Sequence, residues 1–286
     1  MNENLNRINN ELPQVNVRRL LRKHGIKPKK GLGQNFLQDE NHLSKIVSIA
    51  TISNSDTVLD IGPGLGNLTR HLASQAFHVV AVELDNNIIP ILKEVMVPFK
   101  NVKFVNGDIL KLNISELMAN SSYIVVANIP YYITSYLVRH LLETTTKPDR
   151  IILTVQHEVA LRMCSEPPSM NRLALSIQVY GEPSIRARIP AGAFYPTPSV
   201  DSAVININLY PKPVIPAPYT DIFFRLIKAG FNQKRKALRN SLSAGLSKPK
   251  PEVDGILQQC DIDPKRRPQT LSLDEWKVLS YRMYHE

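Results

Sequence analysis

The sequence predicts an α/β protein: a mostly parallel sheet with helices on both faces, followed by a small all-helical C-terminal domain. Three observations predict it. From Thr57 to about Ser165, short β-branched runs alternate with helical stretches, the pattern of successive strand–helix units and so of a parallel sheet. Gly62, Glu83, Asp108 and Asn128 stand at the ends of four successive strand runs, where such sheets bind ligands. Pro211–Pro218 then puts four prolines in eight residues, and only helical patterns follow.

The strand runs are Thr57–Ile61, His78–Glu83, Val102–Val105, Tyr123–Ala127 and Arg150–Gln156. Between them Leu68–Gln75, Asn86–Met96, Ile114–Met118 and Ser135–Glu143 read as helices. Residues 183–190 and 200–209 read as two more strands, joined by a loop holding Phe194-Tyr195-Pro196-Thr197-Pro198, and are expected to form an antiparallel edge. The proline-rich segment reads as a semi-rigid linker. Beyond it come helical stretches at Tyr219–Phe231, Lys234–Leu242, Val253–Cys260 and Ser272–Tyr284, the last with Ser272 and Glu275 at capping-box spacing. The implied organisation is a basic N-terminal extension at 1–30, an α/β catalytic domain at 31–210 and a helical domain at 211–286.

The chain has 286 residues and a formal charge of +10 that is unevenly placed. Arg7, Arg18, Arg19, Arg22, Lys23, Lys27, Lys29 and Lys30 face only Glu3 and Glu11 in the extension, and Lys234, Arg235, Lys236 and Arg239 form a second block. Basic ends around a nearly neutral middle point to a polyanion, most simply nucleic acid; the alternative is a solvated surface. No apolar run approaches the ~18 residues of a membrane span. The polar first dozen residues lack the apolar stretch of a signal peptide, so a cytoplasmic protein is expected. Cys164 and Cys260 are too few and too distant for a disulfide framework. No metal site is expected, since the seven histidines lack ligand spacing; His157 reads as a residue that caps or covers a helix start.

Asp60-Ile61-Gly62-Pro63-Gly64-Leu65-Gly66 follows a strand and opens a helix, letting backbone approach a ligand closely. A dinucleotide fingerprint needs its third glycine at 67, which is Asn67. The G-x-G-x-G spacing of Gly62, Gly64 and Gly66 is that of S-adenosylmethionine enzymes. Glu83, about twenty residues on, suits the ribose hydroxyls, and Asp108 suits the adenine amine. Asn128-Ile129-Pro130-Tyr131 supplies a second pocket. Acceptors at Asn128 and the carbonyls of 128–130 would take both protons of a planar exocyclic amine, raising electron density on its nitrogen. Tyr131 would stack on the base, and Phe194 would cover its other face; Tyr132 reads as structural. A base so treated must leave its own stack.

Together these residues resemble the ribosomal RNA adenine dimethyltransferases. The matching segments include Gly33-Gln34-Asn35-Phe36-Leu37, Ile61–Thr69, Glu83-Leu84-Asp85, Gly107-Asp108, Asn128–Tyr131, Val155–Ala160, Phe194–Ser202 and Phe231-Asn232-Gln233-Lys234-Arg235-Lys236. The resemblance implies a Rossmann-like methyltransferase that converts two adjacent adenosines near the 3′ end of small-subunit rRNA to N6,N6-dimethyladenosine. It further implies that Asn35 and Leu37 contact the cofactor, that Gly62, Glu83 and Asp108 bind it, and that donor meets acceptor at Asn128. The helical domain and its 234–239 basic block would grip a pre-ribosomal particle; a monomer is expected. Two departures stand out: Met170-Asn171 where the family commonly has Tyr-Gly, and Asp60 where it more usually has Glu. The competing readings are a large-subunit rRNA methyltransferase of the macrolide-resistance kind, a non-catalytic nucleic-acid-binding assembly factor, and a DNA adenine methyltransferase.

Overall fold

The computed structural model describes residues 12, 14–233 and 235–285. Seven strands form the main sheet: β1 Thr57–Ile61, β2 His78–Glu83, β3 Val102–Asn106, β4 Ile124–Asn128, β5 Arg150–Gln156, β6 Gly181–Ile189 and β7 Ser202–Leu209. Their order is β3-β2-β1-β4-β5-β7-β6. The first five are parallel, and β7 and β6 complete the expected antiparallel edge. The central strands are apolar at consecutive positions because both faces are covered. Val125, Ala127, Ile151 and Leu153 enter the core on one face, while Val58, Val126 and Ile152 enter the core on the other.

Helices Asn67–Ala73, Ile89–Val95, Ile114–Leu117 and Thr134–Glu143 fall where the sequence places them, within a turn at each end. Four others lie outside the predicted helical stretches, although one begins at His157, where a helix start was expected. Val17–Lys23 docks on the glycine loop through a cluster that joins Val17 and Leu21 to Leu65, Ile88 and Ile91. Glu40–Ala50 is capped by Asp39, whose Oδ1 accepts from the amides of Asn41 and His42. His157–Met163 and Arg172–Gln178 flank the Met170-Asn171 departure, which now has a physical account. Asn171 caps the second helix by accepting from the Ala174 amide at 3.0 Å. Met170 is buried among the C-terminal helices, and its amide donates to the Gln269 carbonyl.

That burial makes the helical region part of a shared core. Ala174, Leu175 and Val179 lie in the same cluster as Phe223, Leu226, Trp276 and Leu279. The proline-rich segment is packed along this seam: Ile215 is buried, and the amide of Val214 donates to the Val179 carbonyl. Helix Ala217–Asn232 starts inside that segment, with Pro218 in its first turn, where a missing N–H costs nothing. The next helix runs Leu238–Leu246, not from 234, because the Leu238 amide is bound by the Arg266 carbonyl. Helix Lys250–Gln259 likewise begins before Val253, at a proline-containing first turn. The capping box on Leu273–Tyr284 forms as expected, Ser272 and Glu275 each accepting from the other's amide.

Candidate active site

Four neighbouring strands deliver their carboxyl ends to one cleft: Asp108 beyond β3, Glu83 at β2, Gly62 after β1 and Asn128 at β4. Asn35, Leu37, Gly64, Pro130 and Tyr131 line the same cleft. The turn after β1 depends on glycine. Gly62 and Gly64 have φ of +69° and +57°, which side chains with a Cβ rarely adopt, and a Cβ on Gly64 would lie 3.0 Å from the Phe36 ring. The N-terminal segment is thus closed directly onto the glycine loop. Gly33 is tight in the same way, since its Cβ would lie 3.1 Å from Pro130.

Glu83 is buried with both carboxylate oxygens aligned by backbone: Oε2 accepts from the Gly64 amide at 3.0 Å and Oε1 from the Asp85 amide at 2.9 Å. Burial pushes its pKa up; those two amides oppose the rise without cancelling it. Asp85 in turn gathers the N-terminal segment, accepting from Lys29 Nζ and Gln34 Nε2, each at 2.8 Å. Burial alone would raise the Asp85 pKa, but Lys29, Gln34 and the Asn87 amide outweigh it and hold the carboxyl below its ordinary value. Asp60 is more confined. Its Oδ2 accepts from the Thr69 hydroxyl at 2.7 Å, while Oδ1 has no partner among the described residues. Burial pushes its pKa to about 7, against the Thr69 bond and with the help of nearby Glu83. A cation beside it would hold it ionised. Asp108 keeps an accessible carboxylate, with Oδ1 accepting from the Leu110 amide at 3.1 Å.

On the acceptor side Asn128 Nδ2 donates to the Asn35 carbonyl at 3.2 Å. Asn35 in turn donates to the Gly33 carbonyl. Tyr131 opens a short 3₁₀ turn, and its hydroxyl is paired with Ser202 Oγ at 2.7 Å. Burial raises the Tyr131 pKa despite the Ser202 bond, so the phenol stays neutral.

Phe194 departs from expectation. It is 1% exposed, lies in the buried cluster with Leu37, Leu43 and Ala193, and is not among the residues lining the cleft. Its pairing with Leu37, in a short antiparallel ribbon of Phe36–Leu37 with Phe194–Tyr195, sets this. Successive side chains in a strand face opposite ways, and Phe194 takes the core side. Tyr132, read as structural, is 55% exposed and lines the cleft.

A model of the family described as ribosomal RNA adenine dimethylase matches residues 25–279. The chain belongs to that family. Among similar proteins, the Ribosomal RNA small subunit methyltransferase A of Dehalococcoides mccartyi is 42% identical over 265 residues, covering 92% of this chain and 91% of the relative. That of Clostridioides difficile (strain 630) is 42% identical over 270 residues, covering 92% and 93%. A dimethyladenosine transferase from Plasmodium falciparum shares the fold, with a TM-score of 0.74 at 23% identity over 85% of this chain and 95% of that one. The 23S rRNA methyltransferase ErmE has a TM-score of 0.71 at 26% identity, over 87% and 99%.

For an rRNA-modifying family the basic residues matter, and the structure sorts them. Lys234 lies outside the described residues. Arg235 and Lys236 are exposed in the turn before helix Leu238–Leu246. Arg239 is paired with Asp254 at 3.3 Å, which weakens its claim to RNA. In the extension, Lys23 and His24 pair with Glu94, Lys29 pairs with Asp85, and Arg18 lies 4.8 Å over the Tyr195 ring. Those residues fasten the N-terminal helix to the domain. Among the described residues no group of His, Cys, Asp and Glu is placed to hold a metal, and no helix is long and apolar enough to cross a membrane. The sequence alone assigns no site role to Gln34, Asn67 or Ser202, and places Lys29 only in the basic extension. Gln34, Asn67 and Ser202 all stand inside matching motifs, and Asn67 also stands where a dinucleotide fingerprint has its third glycine.

Proposed function

We propose that this protein transfers methyl groups from S-adenosylmethionine to N6 of two adjacent adenosines near the 3′ end of small-subunit rRNA, acting as a monomer on a pre-ribosomal particle in the cytoplasm. The observation that carries this reading is the single cleft in which the Asn128–Tyr131 turn stands beside Gly62, Glu83 and Asp108. The donor set fits the cofactor. Glu83 offers an oriented carboxylate to ribose hydroxyls, and Asp108 an acceptor to the adenine amine. Asn35 and Leu37 close the cleft from the N-terminal side. S-adenosylmethionine supplies a methyl on a sulfonium, whose departure as a neutral thioether leaves little work for a strong base.

The protein's part is alignment. Because Asn128 Nδ2 is spent on Asn35, its Oδ1 is left to accept from the target amine, with the carbonyls of 128–130 as a second acceptor. Localising the nitrogen lone pair in this way and holding it in line with the methyl lowers the barrier through positioning and fixed dipoles. Tyr131 supplies the stacking face. Arg235 and Lys236 bind phosphate. Nucleoside mass spectrometry after incubation with S-adenosylmethionine and immature small subunits, with large-subunit RNA alongside, tests the proposal. Dimethyladenosine at two adjacent small-subunit positions is expected. Modification of large-subunit RNA alone would reassign the target, and methylation of neither would favour a binding role.

A further inference from the structure

Two tyrosines stand in the open at the acceptor end of the cleft. Tyr132 is 55% exposed and lines it, and Tyr136 is 72% exposed in the first turn of helix Thr134–Glu143. Neither hydroxyl and neither ring has a partner among the described residues. The helix sends Leu137, Val138, Leu141 and Leu142 into the core, which leaves Tyr132, Ser135, Tyr136 and Arg139 as an outward stripe. Single exposed apolar side chains are ordinary. Two aromatic rings on one stripe, running out from the mouth of a cleft, form a continuous surface. The inner ring is also held in place: a Cβ on Gly33 would lie 3.5 Å from two Tyr132 ring carbons, so the ring rests against the N-terminal segment.

Charge decides what that surface fits. Lys30 is exposed in the short turn that ends at Gly33, with no ion-pair partner among the described residues. Arg139 stands at the far end of the stripe, bonded to Glu143 at 2.8 Å in a surface pair. Such pairs contribute little, so its charge remains available to a phosphate. Aromatic faces flanked by cations are what a single nucleic-acid strand requires, since every base has a π-face and every link a charge. On the function proposed above, the target adenosine leaves its stack to reach the Asn128–Tyr131 turn. Its neighbour in the strand then loses a stacking partner, and Tyr132 is the ring next along the chain from Tyr131.

We infer that Tyr132 and Tyr136 form a stacking platform for the RNA nucleotides beside the target adenosine, with Tyr132 taking the adjoining base. For two adjacent adenosines, the platform holds one while the other is in the pocket. The two rings serve RNA and not the cofactor. This assignment rests on the methyltransferase reading.

Fluorescence anisotropy with the full chain tests it. The probes are a labelled single-stranded oligouridine carrying two adjacent adenosines, and the same strand with one or the other adenosine made abasic. Wild type should bind at least one abasic strand about fivefold or more weakly than the intact strand, the lower bound for one base on an aromatic ring. Tyr132→Ala and Tyr136→Ala should each weaken the intact strand by a similar factor, and Tyr132→Ala should no longer discriminate against the abasic strand. Tyr132→Phe should stay within about twofold of wild type, whereas Tyr132→Leu, apolar but not planar, should lose as much as alanine and replaces it if circular dichroism shows the alanine variant misfolded. Calorimetric affinity for S-adenosylhomocysteine should change less than about twofold throughout. An abasic penalty that persists in Tyr132→Ala, unchanged RNA affinity in either alanine variant, or an equal loss of S-adenosylhomocysteine would overturn the platform. So would wild type that binds S-adenosylhomocysteine but none of the strands. Binding of neither would overturn the methyltransferase reading itself.

Discussion

The side-chain amide of Asn128 donates to the main-chain carbonyl of Asn35 across 93 residues of sequence. One contact therefore joins the Asn128–Tyr131 turn, proposed to receive the substrate, to the N-terminal segment that lines the same cleft, and leaves the Asn128 amide oxygen as its free end. Asn128→Ala should lower kcat/KM by about 10²–10³-fold, the range for loss of one preorganised polar group, while affinity for S-adenosylhomocysteine shifts by less than about tenfold. Steady-state kinetics with calorimetry checks both, and full activity in the variant would end the proposed role.

Tyr131 is expected to act through its ring. Tyr131→Ala should raise KM for RNA and lower kcat/KM by roughly 5- to 150-fold, matching ~1–3 kcal/mol for base–aromatic stacking. Tyr131→Phe keeps the ring and loses only the bond to Ser202, so it should stay within about fivefold of wild type. Equal loss in both variants would make the hydroxyl the important group.

Asp60 gives the ligand-free protein a definite pH dependence. Its folded pKa is raised from 3.8 to about 7. The folded state therefore binds a proton that the unfolded state releases, so this residue's stabilising contribution is complete below about pH 4 and is lost as pH rises toward 7. Measured by urea unfolding, wild type should lose stability relative to Asp60→Asn between pH 5 and 7, with a constant difference at higher pH. A difference independent of pH would mean that the carboxyl is not held as described.

Arg235 and Lys236 are exposed and are expected to neutralise phosphates. Changing both to Gln should flatten the plot of log affinity against log salt by about 0.7–0.9 per lost contact, with little change in S-adenosylhomocysteine binding. An unaltered slope would return these two residues to the role of solvated surface.

Met170→Ala should destabilise the protein by about 2–5 kcal/mol, as for other large-to-small core changes. Because Met170 shares a core with Trp276, the chain's single tryptophan, fluorescence and circular dichroism should report the same shift in urea midpoint. Separate transitions would show that the helical region unfolds independently.

Much of this site was legible in the sequence because its demands are local. A G-x-G-x-G turn needs backbone that only glycine adopts easily, and Gly62, Gly64 and Gly66 all have positive φ. Strands buried on both faces are written as β-branched runs, and β1 to β5 appeared almost to the residue. What was hidden depends on partners far along the chain. Phe194 reads as a cleft aromatic until its ribbon with Leu37 turns it to the core. The Lys234–Lys236 run has good helix formers, yet the helix waits for Leu238 because its amide meets Arg266. Glu40–Ala50 did carry a local sign, the Asp39 cap with Leu43, Ile46, Val47 and Ala50 at helical spacing, that the reading passed over.

Asp85 occupies two positions in the hydrogen-bond network at once, giving its amide to Glu83 while its carboxylate takes Lys29 and Gln34. The alignment of Glu83 and the ordering of residues 29–37 are therefore not independent variables. Reciprocity of coupled equilibria requires that a ligand which steadies Glu83 steadies that segment, and that the segment returns the same factor to the ligand. An enzyme wired in this way keeps a record of its own saturation: the closing of residues 29–37 is a gauge of whether a ligand has settled beside Glu83.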